Sequence, residues 1–181
     1  MALVTIKPTA LDKSIADAIA AHTHPPIEQV AQVLSWAADE KVLMALASAG
    51  WLYTTRRPAL RPLANHLLAL SVLSAILPHV MKRAVNQVRP DRVCIQGHWR
   101  GVPFSGRALD AFPSGHALHM GALASAAGLL PPAQRRSVQG LALALSATRV
   151  LLLAHWASDV AAGFALGGLL ERALRRLSLG K

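Results

Sequence analysis

Charge in this chain is gathered into short clusters between apolar segments, and that arrangement restricts the folds open to it. Of 181 residues, 53% are apolar but only 4% are aromatic, so the apolar mass is mainly Ala, Leu and Val. Such a mixture suits tightly packed membrane helices, in which small residues let backbones approach. A soluble helical bundle normally carries more charge than the 15% found here. The net charge of +10 permits nucleic-acid binding, but the cations form no single stripe or tail. They fall where a membrane protein carries its loop charges. The expected fold is therefore all-α, a polytopic transmembrane helical bundle with the lipid bilayer, and no nucleic acid, as its partner. Cys94 is the only cysteine, which excludes an intramolecular disulfide and a cysteine-based metal site. The first residues lack a charged start followed by a long apolar run, so no cleavable signal peptide is expected.

Along the chain, residues 10 to 21 read as an amphipathic helix with Leu11, Ile15 and Ile19 on one face. Short and polar, it is expected to lie at the membrane interface within an N-terminal segment, residues 1–26, that closes on His24-Pro25-Pro26. Ile27 to Tyr53 is helical and apolar but interrupted by Asp39-Glu40. It reads either as one kinked span preceded by an interfacial stretch or as two abbreviated spans. Leu63 to Met81 is long enough to cross, since about 20 residues cover a hydrocarbon core of ~30 Å. Residues 83 to 112 form a long polar loop that includes His98, Trp99, Arg100 and Arg107. Further helices are expected over Ser114–Leu130, Val138–Leu153 and Ser158–Leu174. The count is five or six spans in a single membrane-embedded domain, 1–181.

Orientation follows from the connections. Arg56, Arg57, Arg61, Arg135, Arg136, Arg172, Arg175, Arg176 and Lys181 place nine cations on one side. Seven lie on the other, but Lys82, Arg89 and Arg149 belong to the motifs below and are held by function, which leaves four. The positive-inside rule then puts the motif loops on the outer face, the periplasmic side of a bacterial inner membrane.

Three separated stretches, within residues 82–159, carry the chemistry. In the first, Lys82 and Arg89 are seven residues apart, which on a continuous helix brings them to nearly the same face. Pro90 ends that helix with both cations at its mouth, although cations snorkelling at a helix end give the same pattern. The second is Pro113-Ser114-Gly115-His116. Ser114 is a natural N-cap, the helix start offers N–H groups to an anion, and Gly115 lets an oxygen come close. His116 stands in that first turn, placed to protonate a leaving oxygen, or simply as a satisfied histidine at a helix start. The third runs from Thr148-Arg149 to His155 and Asp159. His155 and Asp159, four apart, are neighbours on a helix. A carboxylate there can accept the Nδ1 proton and leave Nε2 free to attack, and a membrane-embedded pair of this kind is usually functional. Arg149 does not share that face, so a helix break is expected between it and His155, although Val150 to Ala154 contains no Gly or Pro. Three cations supply the charge that phosphoryl transfer requires. No acid stands beside His116 and His119 in sequence to complete a metal site, so no cofactor is expected.

These three ordered motifs resemble the signature of the type 2 phosphatidic acid phosphatase superfamily, which also contains the vanadium haloperoxidases. The resemblance spans roughly residues 80 to 160. It implies a membrane helical bundle with its site at a membrane surface. It also implies that His155 is the nucleophile, forming a phosphohistidine, that Asp159 orients it, and that His116 protonates the leaving group. Lys82, Arg89, Ser114, Gly115 and Arg149 would hold the phosphate oxygens. Thr148 departs from the serine usual before the third-motif arginine but keeps a hydroxyl. The function expected is a metal-independent lipid phosphatase acting on a phosphomonoester or pyrophosphate. Undecaprenyl pyrophosphate, phosphatidic acid, phosphatidylglycerol phosphate and the phosphate of lipid A are the candidate substrates. The alternatives are a non-catalytic lipid-phosphate binding or transport protein, and a vanadate-dependent haloperoxidase. Oligomeric state is not readable.

Overall fold

Small and aliphatic residues at helical spacing dominate the chain, and the backbone follows them. The structure, a computed structural model, describes residues 3–93 and 109–180. Among these residues seven α-helices form, α1 (Ala10–His22), α2 (Pro25–Ala37), α3 (Glu40–Tyr53), α4 (Arg61–Ala84), α5 (Gly115–Ala126), α6 (Pro132–Leu151) and α7 (Ala157–Leu179). A two-stranded parallel pair, β1 (Val4–Thr5) with β2 (Val85–Asn86), is the one sheet among them. His98, Trp99, Arg100, Arg107 and Cys94 lie outside the described residues.

Helix α5 is the centre, with α7 packed most closely against it. Three glycines set that spacing. A Cβ built on Gly167 would stand 1.9 Å from the Leu118 carbonyl oxygen, and one on Gly163 would stand 2.5 Å from that of Ser114. A Cβ on Gly121 would meet the Phe164 carbonyl oxygen at 1.9 Å. Only hydrogen fits between these backbones, the arrangement expected where small residues draw helices together. Helices α4 and α6 flank the pair, and Leu70, Ala122, Ala124, Ala126, Ala142 and Leu145 fill the buried seams.

By length and composition, one helical stretch among the described residues, Pro58–Ala84, is long and apolar enough to cross a membrane. The segment from Ile27 to Tyr53 is two helices, parted where Asp39 caps α3 by accepting from Lys41 N at 2.9 Å. Pro25 and Pro26 open α2 rather than closing α1, since proline is preorganised for a first helical turn.

Three expectations change. Lys82 and Arg89 do not share a helix, because α4 stops at Ala84 and the chain turns extended. Its backbone there bonds to the N-terminal segment, with Leu3 N on Ala84 O and Ile6 N on Asn86 O, both at 2.9 Å. In α1 the packed face is Asp12 and Ala16, each 3% exposed, with Ile19 of the expected face against the same cluster, while Leu11 is 69% exposed. The reason lies in α7: Asp12 accepts from Ser158 N and Ser158 Oγ, both at 2.9 Å, and Thr9 completes the carboxylate's shell. His66, which reads from sequence as an ordinary polar or interfacial residue, is fully buried. It meets Ser178 Oγ at 2.8 Å and Glu171 at 3.3 Å, and Arg175 closes on the same carboxylate.

Candidate active site

The third motif is built by a helix ending. Helix α6 finishes with Leu153 N donating to Val150 O at 2.9 Å and Ala154 N to Arg149 O at 3.0 Å. Leu153 adopts a left-handed φ of 52°. Together these make the paired-bond helix stop in which glycine usually takes the left-handed position. A leucine takes it here because its side chain is wholly buried with Ala16, Ala111 and Trp156. The expected break between Arg149 and His155 is therefore real, and residues 152–156 turn the chain into α7. Asp159 caps α7, accepting from Trp156 N at 3.0 Å. Trp156 anchors the turn through Nε1 on Val88 O at 2.7 Å.

His155 lies inside this turn, 3% exposed. Its Nδ1 donates to the Ala111 carbonyl at 2.6 Å, while Asp159 Oδ2 stands 3.9 Å away. The hydrogen bond expected to Asp159 is thus made to a backbone oxygen, and the tautomer with an unprotonated Nε2 is set by Ala111. Arg89 Nη1 reaches that Nε2 at 3.3 Å and the Ala154 carbonyl at 2.8 Å. Burial first, then the charges of Arg89, Arg149 and Lys82, hold the imidazole well below its ordinary pKa. It is a neutral base facing cations.

Arg89 is itself held by a residue that sequence reading missed. Asp110 Oδ1 accepts from Arg89 Nε at 2.8 Å, and Lys82 Nζ lies 4.0 Å from Oδ2. Burial raises the Asp110 pKa, but the Arg89 hydrogen bond and the charges of Arg89 and Lys82 outweigh it and hold the carboxyl below its usual range. Asp110 sits 21 residues from Arg89 in sequence, in a loop without helical period, so no local signal marks it.

In the second motif Ser114 is the N-cap of α5 as expected, accepting from Ala117 N at 3.4 Å. Its own N–H donates to the Asp159 carbonyl at 3.3 Å and joins the second motif to the third. A Cβ built at Gly115 would meet Pro78 at 3.6 Å, an ordinary contact. Arg149 donates to Ser35 Oγ at 2.8 Å, and the Ser35 backbone also faces His116. Asp39 is an electrostatic neighbour of His116 and Arg149, and Glu40 of Lys82 and His119. Acids therefore act on these histidines electrostatically, from the α2–α3 junction, without joining them in a metal-ligating cluster among the described residues. Thr148 points its hydroxyl to its own helix, at 2.6 Å from Leu145 O. The fold thus brings Lys82, Arg89, Arg149, Ser114, Gly115, His116, His155 and Asp159 to one end of the bundle.

The PAP2 superfamily matches residues 63–180, and the chain belongs to it. It is a phosphoric ester hydrolase. Among similar proteins, a lipid A 1-phosphatase of Rhizobium etli is 33% identical over 91% of this chain and 78% of that protein. A lipid A 1-phosphatase of Rhizobium johnstonii is 42% identical over 53% of this chain and 40% of that one. A transmembrane PAP2-type phosphatidylglycerolphosphate phosphatase from Bacillus subtilis has the same fold, with a TM-score of 0.71 at 21% identity, covering 94% of this chain and 86% of that one. LpxE of Aquifex aeolicus superposes with a TM-score of 0.69 at 18% identity, covering 95% and 99%.

Proposed function

We propose that this protein removes phosphate from a membrane lipid, of the lipid A type first, by way of a phosphohistidine at His155. The reading rests above all on His155, whose Nδ1 is committed to Ala111 O while Nε2 faces Arg89 Nη1 at 3.3 Å. The lone pair on Nε2 attacks phosphorus, the P–O bond to the lipid breaks, and His116, entering as the imidazolium that the bound anionic phosphate stabilises, gives its proton to the leaving oxygen. Water, deprotonated by His116, then breaks the P–N bond and releases phosphate with His155 neutral again. Lys82, Arg89 and Arg149 balance the oxygens' charge, as the Ser114 and Gly115 helix start does through its N–H groups. Asp159 acts by capping the turn that carries His155, through its bond from Trp156 N. No metal enters this scheme.

Names of the relatives support lipid A as the first substrate to try, with undecaprenyl pyrophosphate, phosphatidic acid and phosphatidylglycerol phosphate behind it. Residues 1–181 are taken to act as one membrane-embedded domain, with α3 to α7 as five spans in a bacterial inner membrane. α1 and α2 then lie at the outer surface beside the site. Exposed Ile27, Val30, Val33 and Trp36 on α2 suit such an interface.

The test is phosphate release in detergent from these four lipids with EDTA present, wild type against His155→Ala. Release that resists EDTA and falls by about 10³-fold or more in the variant is expected. No release from any lipid by folded protein would favour a binding or transport role instead.

A further inference from the structure

We propose that the cavity between α3, α4 and α5 seats the hydrocarbon tail of the substrate, and that Ser74 and His119 there recognise a hydroxyl carried on that tail. The proposal rests on the lipid phosphatase reading above and adds a selection it does not contain.

The cavity measures about 320 Å³ and is walled by aliphatic side chains, among them Leu43, Leu46, Leu67 and Leu70. Two polar side chains interrupt that wall. Ser74 is 1% exposed and His119 is 5% exposed, and neither Ser74 Oγ nor His119 Nε2 has a hydrogen-bond partner among the described residues. Buried polar atoms are nearly always paired, and an apolar wall with two unpaired groups on it is built at a cost. Both line the same space, and the helices explain why. A Cβ at Gly115 on α5 would meet Pro78 on α4 at 3.6 Å. One turn deeper on each helix stand His119 and Ser74.

Depth identifies the occupant. Ser74 precedes Lys82 by eight residues on α4, which is ~12 Å at ~1.5 Å per residue. A lipid whose phosphate lies at Lys82 and Arg89 has its headgroup linkage and the first carbons of its chains at that level. Apolar walls fit the chain and exclude a second headgroup.

The hydrogen-bonding pattern then selects the group on the chain. His119 Nδ1 donates to the Gly115 carbonyl at 3.2 Å, which leaves Nε2 as an acceptor. The Ser71 carbonyl also faces the ring, without making a hydrogen bond to Nε2. Ser74 offers an O–H donor. A hydroxyl on the ligand accepts from Ser74 and donates to His119, satisfying both. An ester carbonyl satisfies only Ser74, an amide N–H only His119, and a plain methylene chain neither.

The test compares two lipid phosphates with the same headgroup and chain length, one with acyl chains hydroxylated on the third carbon and one unsubstituted. kcat/KM is measured for each with the purified full chain in detergent. The wild type is expected to favour the hydroxylated lipid by about tenfold, chiefly in KM, as buried groups built to pair reject a substrate that leaves them unpaired. In Ser74→Ala and in His119→Leu the ratio is expected to fall to within about twofold. Each ratio is internal to one preparation, so a partly misfolded variant does not disguise the result. A wild-type ratio near one, or a ratio unchanged in both variants, overturns the tail-hydroxyl site and leaves the phosphatase reading intact. Hydrolysis of neither lipid overturns both.

Discussion

Burial and the cations around it keep His155 neutral against the opposing pull of the Ala111 carbonyl, and that state has consequences for the fold as well as for the chemistry. Burial and the charges of Arg89, Arg149 and Lys82 depress its pKa in the folded protein, whereas in the unfolded chain it titrates near the ordinary value of ~6.5. Between those two values the unfolded chain binds the extra proton and the folded one does not. Stability therefore rises with pH there, and is lost as pH falls below about 6.5, at up to ~1.4 kcal/mol per pH unit. His155→Gln removes the titrating group. Thermal unfolding in detergent from pH 8 to pH 5 is expected to show a shallower acid decline in the variant than in the wild type. Parallel declines would mean that His155 does not titrate on unfolding. In the same range activity is expected to lack the inflection near pH 6.5 that an ordinary histidine nucleophile would impose.

At the scale of elements, the N-terminal segment ties the motifs together. β1 pairs with β2 just after Lys82, and α1 plants Asp12 on Ser158, three residues beyond His155. Both lie before residue 63, where the family match begins. Asp12→Ala leaves the Ser158 N–H and hydroxyl unmet, at a cost of ~1–3 kcal/mol. The melting temperature is expected to fall, with kcat down about tenfold and KM within about twofold, because the turn carrying His155 loosens while the cations stay in place. Asp12→Asn keeps an acceptor oxygen and is expected to recover most of the loss. Equal effects on kcat and KM in Asp12→Ala would argue against positioning. This clamp also marks the limit of what sequence reveals. α4 to α7 were legible because apolar length and Pro punctuation are local signals, and Ser114 because an N-cap is one. The packed face of α1 was not, since Asp12 looks solvated until Ser158 is beside it. The break after Arg149 was inferred from the need to bring two side chains together, but its cause was hidden because Leu153 occupies a position normally read as Gly. Asp110, Ser35 and Ala111 act across long sequence separations, which no periodicity encodes.

For the whole molecule, the two ends of the bundle are chemically distinct, and their difference argues for one orientation. Helices α4 to α7 alternate in direction, so Lys82, Ser114, Arg149 and His155 share one end. At the other, Arg61 and Ser178 line one cavity, and Arg175 reaches over Gly128, where a built Cβ would stand 3.4 Å from its guanidinium. There Arg175 and His66 close on the buried Glu171, so that carboxylate is neutralised within the fold. Arg56, Arg57, Arg135 and Arg136 remain for the positive-inside rule to act upon. At the motif end, Arg89 is neutralised by Asp110, which supports discounting it as a topology signal. In the proposed orientation the site faces outward. In a Cys94→Ser background, Leu109→Cys at the motif end and Gln134→Cys at the other, both exposed positions, report on opposite sides. A membrane-impermeant thiol reagent added to intact spheroplasts is expected to label Leu109→Cys at once and Gln134→Cys only after permeabilisation. The reverse pattern would place the catalytic end in the cytoplasm, and the substrate would then have to be a lipid phosphate of the inner leaflet.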